Sequence, residues 1–557
     1  MPDYMNGIMM DAPLLIRDIL VYAEQHWPAQ EILSVMPSGQ LDNKSYTDIF
    51  KRCRHLANAL QELGVQASDR IATLAWNDHR HVEIYFAVAC SGAVCHTINP
   101  RLSEEQIHYI INHADDRWLF TAPDFVPLIE KLLPSLPRLK GVIVLSDSEN
   151  IQPTALPDAL DYETLLLNTS DSFIWPDFPE TTASSLCYTS GTTGHPKGVL
   201  YSHRSTVLHT LMCNQAGVVG LTSADTVMPV VPMFHVNAWG VPYTATLAGA
   251  RLVLPGPHMG NGELLQRLIE EEQVTVAFGV PTIWLALVHY LEESGKRIDS
   301  LQRIYTGGTA CPRHIMEILL NRYGVRTIHL WGMTELSPLG TMNMAAFRPD
   351  LDTDNSLDLL RKQGRSVFGL EMRLKDDDGL PVEQNGTDPG RLFVRGYATC
   401  SGYYRNEGLD SEDHPPTHDG DGWLDTGDIG TIDEDGYLQI TDRAKDVIKS
   451  GGEWISSIEL ENLAMGHPDI VEAAVIACPD EQWQERPLLV AVRKTKDSPS
   501  AKELGEWYQN KLPDWMHPDR IVFVEELPHT ATGKVKKSQL RNELEQLLAQ
   551  SESIRPA

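Results

Sequence analysis

Positive charge is in short supply: 46 Lys and Arg stand against 76 Asp and Glu, a formal net charge of −30. Such a field repels nucleic acid and anionic membrane surfaces, and neither is expected as a partner. It repels polyphosphates and carboxylates as well, so a ligand of that kind would need a local knot of cations, for which Lys197, Arg443, Lys449 and Lys534 are candidates. Long apolar runs are missing: no stretch of about 18 apolar residues exists, and Met1 to Pro13 carries Asp3 and Asp11 where a secretory leader would carry basic residues. Neither membrane spanning nor secretion is expected. The cysteines (Cys53, Cys90, Cys95, Cys187, Cys213, Cys311, Cys400, Cys478) are scattered, with no Cys-x-x-Cys and no paired His spacing. That argues against a disulfide framework or a structural zinc site and fits a reducing cytoplasm. Internal repeats and low-complexity tracts are absent too.

What is present is length and a regular alternation. A chain of 557 residues is well beyond the roughly 250 to 300 at which a single core stops growing, so two or more domains are expected. Helical apolar patterns at Ile49–Leu63, His81–Gly92, Leu264–Glu272 and Ile283–Ser294 alternate with strand-like runs at Ile71–Leu74, Val142–Leu145, Val274–Gly279 and Arg303–Thr306. Such alternation predicts layered α/β architecture with parallel strands. The polar, acidic stretches Asp350–Leu359 and Asp410–Asp421 read as surface loops. Arg391–Arg395 and Tyr437–Thr441, with Asp435-Gly436 as a turn signal, read as strands of a smaller β-rich unit. After Thr441 the pattern changes to a compact α+β module of about a hundred residues: helix Ile458–Met465, strands Val471–Cys478 and Leu488–Arg493, helix Ala501–Lys511, strand Arg520–Val524. The boundary is placed at Asp442–Asp446, dividing the chain into 1–441 and 447–557.

Between Tyr188 and Gly198 stands Tyr-Thr-Ser-Gly-Thr-Thr-Gly-His-Pro-Lys-Gly. Thr189, Ser190, Thr192 and Thr193 offer hydroxyl donors, Gly191 and Gly194 let backbone N–H groups approach an anion, and Lys197 adds a point charge. The string suits a polyphosphate but is not a Walker A loop: Pro196 stands five positions after Gly191, and Gly198 follows the lysine. Its flanks, Ser184–Tyr188 and Val199–Ser202, read as strands, giving strand-loop-strand where a Walker loop gives strand-loop-helix.

Further strings complete a pattern: Tyr305-Thr-Gly-Gly-Thr-Ala310, Trp331-Gly-Met-Thr-Glu335, Trp423-Leu-Asp-Thr-Gly-Asp428, Asp442-Arg-Ala-Lys-Asp-Val-Ile-Lys-Ser-Gly-Gly452 and Leu527-Pro-His-Thr-Ala-Thr-Gly-Lys534. Together with the loop they closely resemble the adenylate-forming superfamily of acyl-CoA synthetases, firefly luciferases and peptide-synthetase adenylation domains. The resemblance runs from about residue 40 to 540. Within it, Pro232-Met-Phe-His-Val-Asn-Ala-Trp239 and Gly279-Val-Pro-Thr282 look most like medium- and long-chain fatty acyl-CoA synthetases. The resemblance implies a large N-terminal domain of layered α/β subdomains plus a small β-barrel-like unit, then a small mobile α+β C-terminal domain. It also implies a two-step reaction: a carboxylate attacks the α-phosphate of ATP and expels pyrophosphate, then the acyl-AMP passes its acyl group to CoA.

By the same resemblance, the loop from Thr189 to Lys197 holds the β- and γ-phosphates and Thr334 contacts the α-phosphate. Glu335 binds Mg²⁺, which takes hard oxygen ligands. Asp428 would accept from the ribose hydroxyls, Arg443 would contact ribose and phosphate, and Gly307, Gly308, Thr309, Trp331, Gly332 and Met333 would border the nucleotide, the Trp331 ring lying flat against adenine. Lys534 would bridge the substrate carboxylate and the α-phosphate. Lys445 matches a hinge whose rotation withdraws Lys534 and brings in Lys449, Ser450, Gly451, Gly452, Glu453 and Trp454 on the CoA side. His529 stands where relatives often carry Arg. His235, where amino-acid-activating relatives have Asp, argues against an amino acid substrate. Trp239 matches an indole that closes the acyl tunnel, and Gly279, Val280, Pro281 and Thr282 line that pocket. The expected substrate is a medium- or long-chain fatty acid, with a short acid such as 3-methylthiopropionate as the alternative. A luciferase-type oxygenase, a carrier-loading adenylation domain and a non-catalytic nucleotide-binding protein are the other readings. A cytoplasmic homodimer is expected.

Overall fold

The computed structural model describes residues 5, 7–146, 156, 159–189, 195–347, 354–405, 418–451, 453–496, 498–509, 511–529 and 534–554. Ser190–Gly194, Gly452 and the residues just before Lys534 therefore lie outside the described residues, as does most of the stretch read as a loop at Asp410–Asp421.

Two large sheets form the body of residues 1–441. One has seven strands, in the order Leu160–Asp161, Gly141–Val144, Asp116–Thr121, Arg70–Leu74, Val94–Thr97, Ala183–Thr189, Lys197–Ser202; all pair in parallel except the last, which runs antiparallel to Ala183–Thr189. The other has nine strands, with a parallel centre from Glu31–Val35 to Arg326–Gly332 and antiparallel edges. Parallel strands covered by helices are buried on both faces, which is why their sequences run apolar without alternation. Arg303–Thr306, for example, buries Ile304, Tyr305 and Thr306 in succession. The helices expected around these strands are present, each within two or three residues of the predicted ends: Tyr46–Glu62, His79–Cys90, Gly262–Glu271 and Pro281–Ser294.

The smaller β-rich unit is a meander of four antiparallel strands, Leu370–Lys375, Gly390–Gly396, Leu424–Ile432 and Leu438–Arg443, tied to the nine-stranded sheet through a bridge between Gly364 and Leu438. Next to it the expectation of a surface loop at Asp350–Leu359 is overturned: Asp354–Arg361 is a helix. Its leucines decide this, since Leu357, Leu359 and Leu360 pack on Cys311, Met316 and Tyr437, and that contact outweighs the acidic composition.

Sheet membership changes between Arg443 and Ile448. Ile448–Ser450 belongs to a six-stranded sheet built entirely from later residues, around the long antiparallel pair Ile470–Asp480 and Gln484–Arg493. Its two apolar clusters draw only on residues from Ile448 to Ile554, so this module carries its own core. No helix among the described residues is long and apolar enough to cross a membrane.

Candidate active site

The strands on either side of the hydroxyl- and glycine-rich string, Ala183–Thr189 and Lys197–Ser202, form the antiparallel edge of the seven-stranded sheet. Thr189 pairs with Lys197 and Tyr188 with Gly198 in the antiparallel ladder, so the loop is closed at its base and both Thr189 and Lys197 are held in strand geometry. The Lys197 ammonium lies 5.0 Å from the centre of the Tyr403 ring, a cation–π distance. Tyr403 donates its hydroxyl to Glu335 Oε1 at 2.6 Å. Tyr403 stands 68 residues from Glu335, and in the sequence its only signal is a glycine followed by two tyrosines. Thr334 and Glu335 lie in a short 3₁₀ turn after the strand Arg326–Gly332, with Tyr201 donating to the Thr334 carbonyl at 2.7 Å and Cys400 N–H to the Glu335 carbonyl at 2.8 Å. The turn needs Gly332, since a Cβ there would come within 2.1 Å of the Pro338 oxygen. Met333 is fixed beside it by its N–H bond to that same oxygen. Glu335 is buried, and desolvation pushes its carboxyl above the usual range against the bond from Tyr403.

Asp428 is also buried, and its carboxylate takes two strong partners: Trp331 Nε1 donates to one oxygen at 2.8 Å, and Arg443 Nε meets the other at 2.7 Å. A carboxylate has about four lone-pair sites, so two remain for further donors. The Trp331 ring packs over Gly340, where a Cβ would stand 2.5 Å away, and is only 7% exposed, while its N–H orients the Asp428 carboxylate.

Lys534 comes from the C-terminal module and lies within the field of Asp428 and Arg443. Its Cε lies 4.0 Å from where a Cβ on Gly308 would be, and Val280 Cγ1 stands 3.4 Å from the same point. Gly308, at φ +86, is in the left-handed region where glycine is at ease. Desolvation, with Arg443 and Lys445 nearby and Asp428 opposing, lowers the Lys534 ammonium to about 8. His235 is half-buried, and desolvation together with the Lys534 charge lowers its imidazole to about 4, so it is neutral at pH 7. Gly307 and Thr309 flank Gly308 after the strand Arg303–Thr306. Gly279 ends its strand against Trp284, and Val280, Pro281 and Thr282 open the helix Pro281–Ser294 with Pro281 in its first turn. The structure thus gathers Glu335, Asp428, Arg443, Lys534 and His235 into one neighbourhood, each within the electrostatic reach of another of them.

Trp239 is half-buried at the end of an unusual turn: Val236, Asn237, Ala238 and Trp239 all have φ between +47 and +59. Asn237 holds this turn to the strand Ala183–Thr189, donating to Ser185 Oγ at 3.1 Å and accepting from Cys187 Sγ at 3.5 Å. Nothing in the sequence announces it, because Val, Ala and Trp do not favour left-handed geometry.

The residues expected on the CoA side have partners of their own. Lys449, Ser450, Gly451, Glu453 and Trp454 belong to the hairpin Ile448–Ser450 and Glu453–Ile455, whose Lys449 pairs at 3.6 Å with Asp377, in the turn after the strand Leu370–Lys375, and lies 5.5 Å from the Trp454 ring centre. Trp454 shares a groove of about 260 Å³ with the turn Asp376–Asp378 and Pro389. Ser450 accepts from Arg486 at 3.0 Å, and Gly451 donates to the Trp483 carbonyl at 2.8 Å. Near the expected hinge, Ala444 N–H bonds the Gly427 carbonyl at 3.0 Å and Asp446 pairs with Arg541 at 2.7 Å, while desolvation lowers the Lys445 ammonium. His529 pairs with Glu472 at 2.6 Å.

A two-sheet body, a hydroxyl-rich loop on a strand hairpin and a lysine delivered from a separate module define an adenylate-forming enzyme. The chain belongs to the family of AMP-binding enzymes, whose model matches residues 23–404, with the C-terminal domain of the same enzymes matching residues 459–534. It is 45% identical over 99% of both chains to a medium-chain-fatty-acid–CoA ligase of Ectopseudomonas oleovorans. It is 47% identical, over 98% of its length and all of the other, to a 3-methylmercaptopropionyl-CoA ligase of Ruegeria lacuscaerulensis. Among solved structures it is similar to an anthranilate–CoA ligase in complex with anthranoyl-AMP, with a TM-score of 0.85 at 26% identity over 97% of this chain and 99% of that one. The protein is an AMP-forming acyl-CoA ligase, dependent on ATP and CoA.

Proposed function

We propose that the carboxylate activated is that of a medium- or long-chain fatty acid, and that the residues around Lys534 carry out its adenylation. The observation that carries the reading is Lys534, desolvated beside Gly308 and Val280 and within the fields of Asp428 and Arg443. A carboxylate approaching a triphosphate meets like charge, so catalysis is mainly positioning and neutralisation. Lys197 and the loop hydroxyls take the β- and γ-phosphates, Thr334 the α-phosphate, Asp428 the ribose, and Lys534 bridges the carboxylate and the α-phosphate. Neutral His235 and Trp239 border the acyl group, with Gly279 to Thr282 across from them. The donor set fits Mg²⁺: one buried carboxylate, Glu335, suits an ion that keeps several waters and takes its other ligands from phosphate. When bound, that ion would neutralise the leaving pyrophosphate.

For the second step the C-terminal module turns about Lys445, releasing Lys449 from Asp377 and presenting Lys449 to Trp454 to CoA. Lys534→Ala is expected to abolish pyrophosphate release while leaving thioesterification of supplied acyl-AMP largely intact; equal loss in both half-reactions would sink the two-orientation account. The relative that acts on 3-methylmercaptopropionate supports a second reading, a short thioether acid. Pyrophosphate release across acids from three to sixteen carbons, on the order of the span separating the two substrate classes, with and without CoA, separates them. A cytoplasmic homodimer is part of the same proposal, checked by sedimentation.

A further inference from the structure

The helix Glu104–Ala114 buries Ile107, Ile110, Ile111 and Ala114 against the seven-stranded sheet's core. That apolar face is enough to seat it. Its other face carries Tyr109 and His113, one turn apart and so adjacent, and both engage the hairpin that bears the phosphate loop. The Tyr109 ring stacks on His195, with centroids 4.3 Å apart and planes 16° from parallel, and lies near-parallel to His113 at 5.3 Å. His113 Nδ1 is 2.7 Å from the Tyr188 hydroxyl. Burial and the Arg405 guanidinium hold the His113 imidazole below its usual pKa, so the neutral ring accepts a hydrogen bond from that hydroxyl, which keeps its proton. Tyr188 precedes the loop and His195 follows its glycines, so one helix grips the chain on both sides. The grip is braced from behind: the Tyr188 ring lies 5.2 Å from His96, whose Nδ1 is 2.8 Å from an oxygen of the fully buried Asp116. It is closed from the side, where Tyr404 N–H bonds the Gly198 carbonyl at 2.8 Å and Arg405 donates to the His113 carbonyl at 3.0 Å.

We propose that Tyr109 and His113 are positioning residues that fix the entry and exit of the phosphate loop, so that Thr189 and Lys197 stay aligned for the pyrophosphate. This rests on the reading of that loop as the pyrophosphate cradle. The experiment follows pyrophosphate release against ATP concentration, and separately thioesterification of supplied acyl-AMP, in Tyr109→Ala, Tyr109→Phe, His195→Ala and the Tyr109→Ala/His195→Ala double variant. Loss of a stacked aromatic pair should raise the KM for ATP about three- to tenfold in each alanine variant. The double variant should be no worse than the poorer single one, Tyr109→Phe should stay near the parent, and the second half-reaction should be unchanged. Additive effects, a phenylalanine as damaging as alanine, or equal loss in both halves would overturn the proposal. His195 is exposed, so its variant reports even if Tyr109→Ala folds poorly. Lys197→Ala separates the two ideas: intact pyrophosphate release there removes the cradle itself, whereas its loss alongside an unmoved KM in Tyr109→Ala removes only the clamp.

Discussion

Lys534 illustrates how burial sets a pH window. With its ammonium at about 8 in the free protein, the bridging cation is lost as pH rises through that value, so kcat/KM for acyl-AMP formation should decline on the alkaline side. Lys534→Arg keeps a charge at any accessible pH; the expected result is a lower rate whose alkaline limb is gone. Trp331 is the second residue whose part is set by a neighbour. Removing its N–H in Trp331→Phe leaves the buried Asp428 carboxylate one charge-assisted bond short, an effect of about 1.5 to 3 kcal/mol, so the KM for ATP should rise roughly tenfold or more while the KM for CoA holds. An unchanged KM for ATP would mean that Arg443 alone aims the carboxylate.

At the scale of elements, the turn from Val236 to Trp239 stores strain of about 1 to 2 kcal/mol for each left-handed residue. Asn237 is the member best suited to that backbone, and it also ties the turn to Ser185 and Cys187. The two contributions come apart by substitution. Asn237→Gly keeps backbone tolerance and loses the tether, for about 1 kcal/mol; Asn237→Ala loses both, and thermal unfolding should rank it below the glycine variant. The hairpin Ala183–Thr189 to Lys197–Ser202 was legible because a glycine and hydroxyl run between two apolar stretches reads as strand, loop and strand. The helix Asp354–Arg361 was not, since its acidic residues masked the leucines that seat it on Met316 and Tyr437. The left-handed turn was equally hidden, because tertiary contacts and not its own residues impose it. Tyr403 and Asp377 escaped for a similar reason: each owes its importance to a partner distant in sequence, Glu335 and Lys197 in one case and Lys449 in the other.

At the scale of the whole molecule, two bodies with separate cores are joined between Arg443 and Ile448, and the Lys449–Asp377 pair is one of the contacts between them. An exposed pair of this kind contributes about 0.2 to 1 kcal/mol. Asp377→Asn should therefore slow acyl-AMP formation by roughly two- to fivefold and leave thioesterification equal or faster, measured as the ratio of the two half-reactions. A fall in both together would mean that the pair does not bias the orientation of the module. The −30 charge belongs to this scale too: against it stand Arg443 and Lys445 at the junction and Lys534 beyond it, close enough that their charges act on one another.

Trp454 lies beside the Lys449 ammonium and against the acidic turn Asp376–Asp378. An indole between a cation and carboxylates emits according to that local field. If the module turns as proposed, the carboxylates are left behind and the surroundings of this indole change, so the stopped-flow emission of the parent minus that of a Trp454→Phe variant, needed because the chain has 12 tryptophans, would time the passage from one half-reaction to the other.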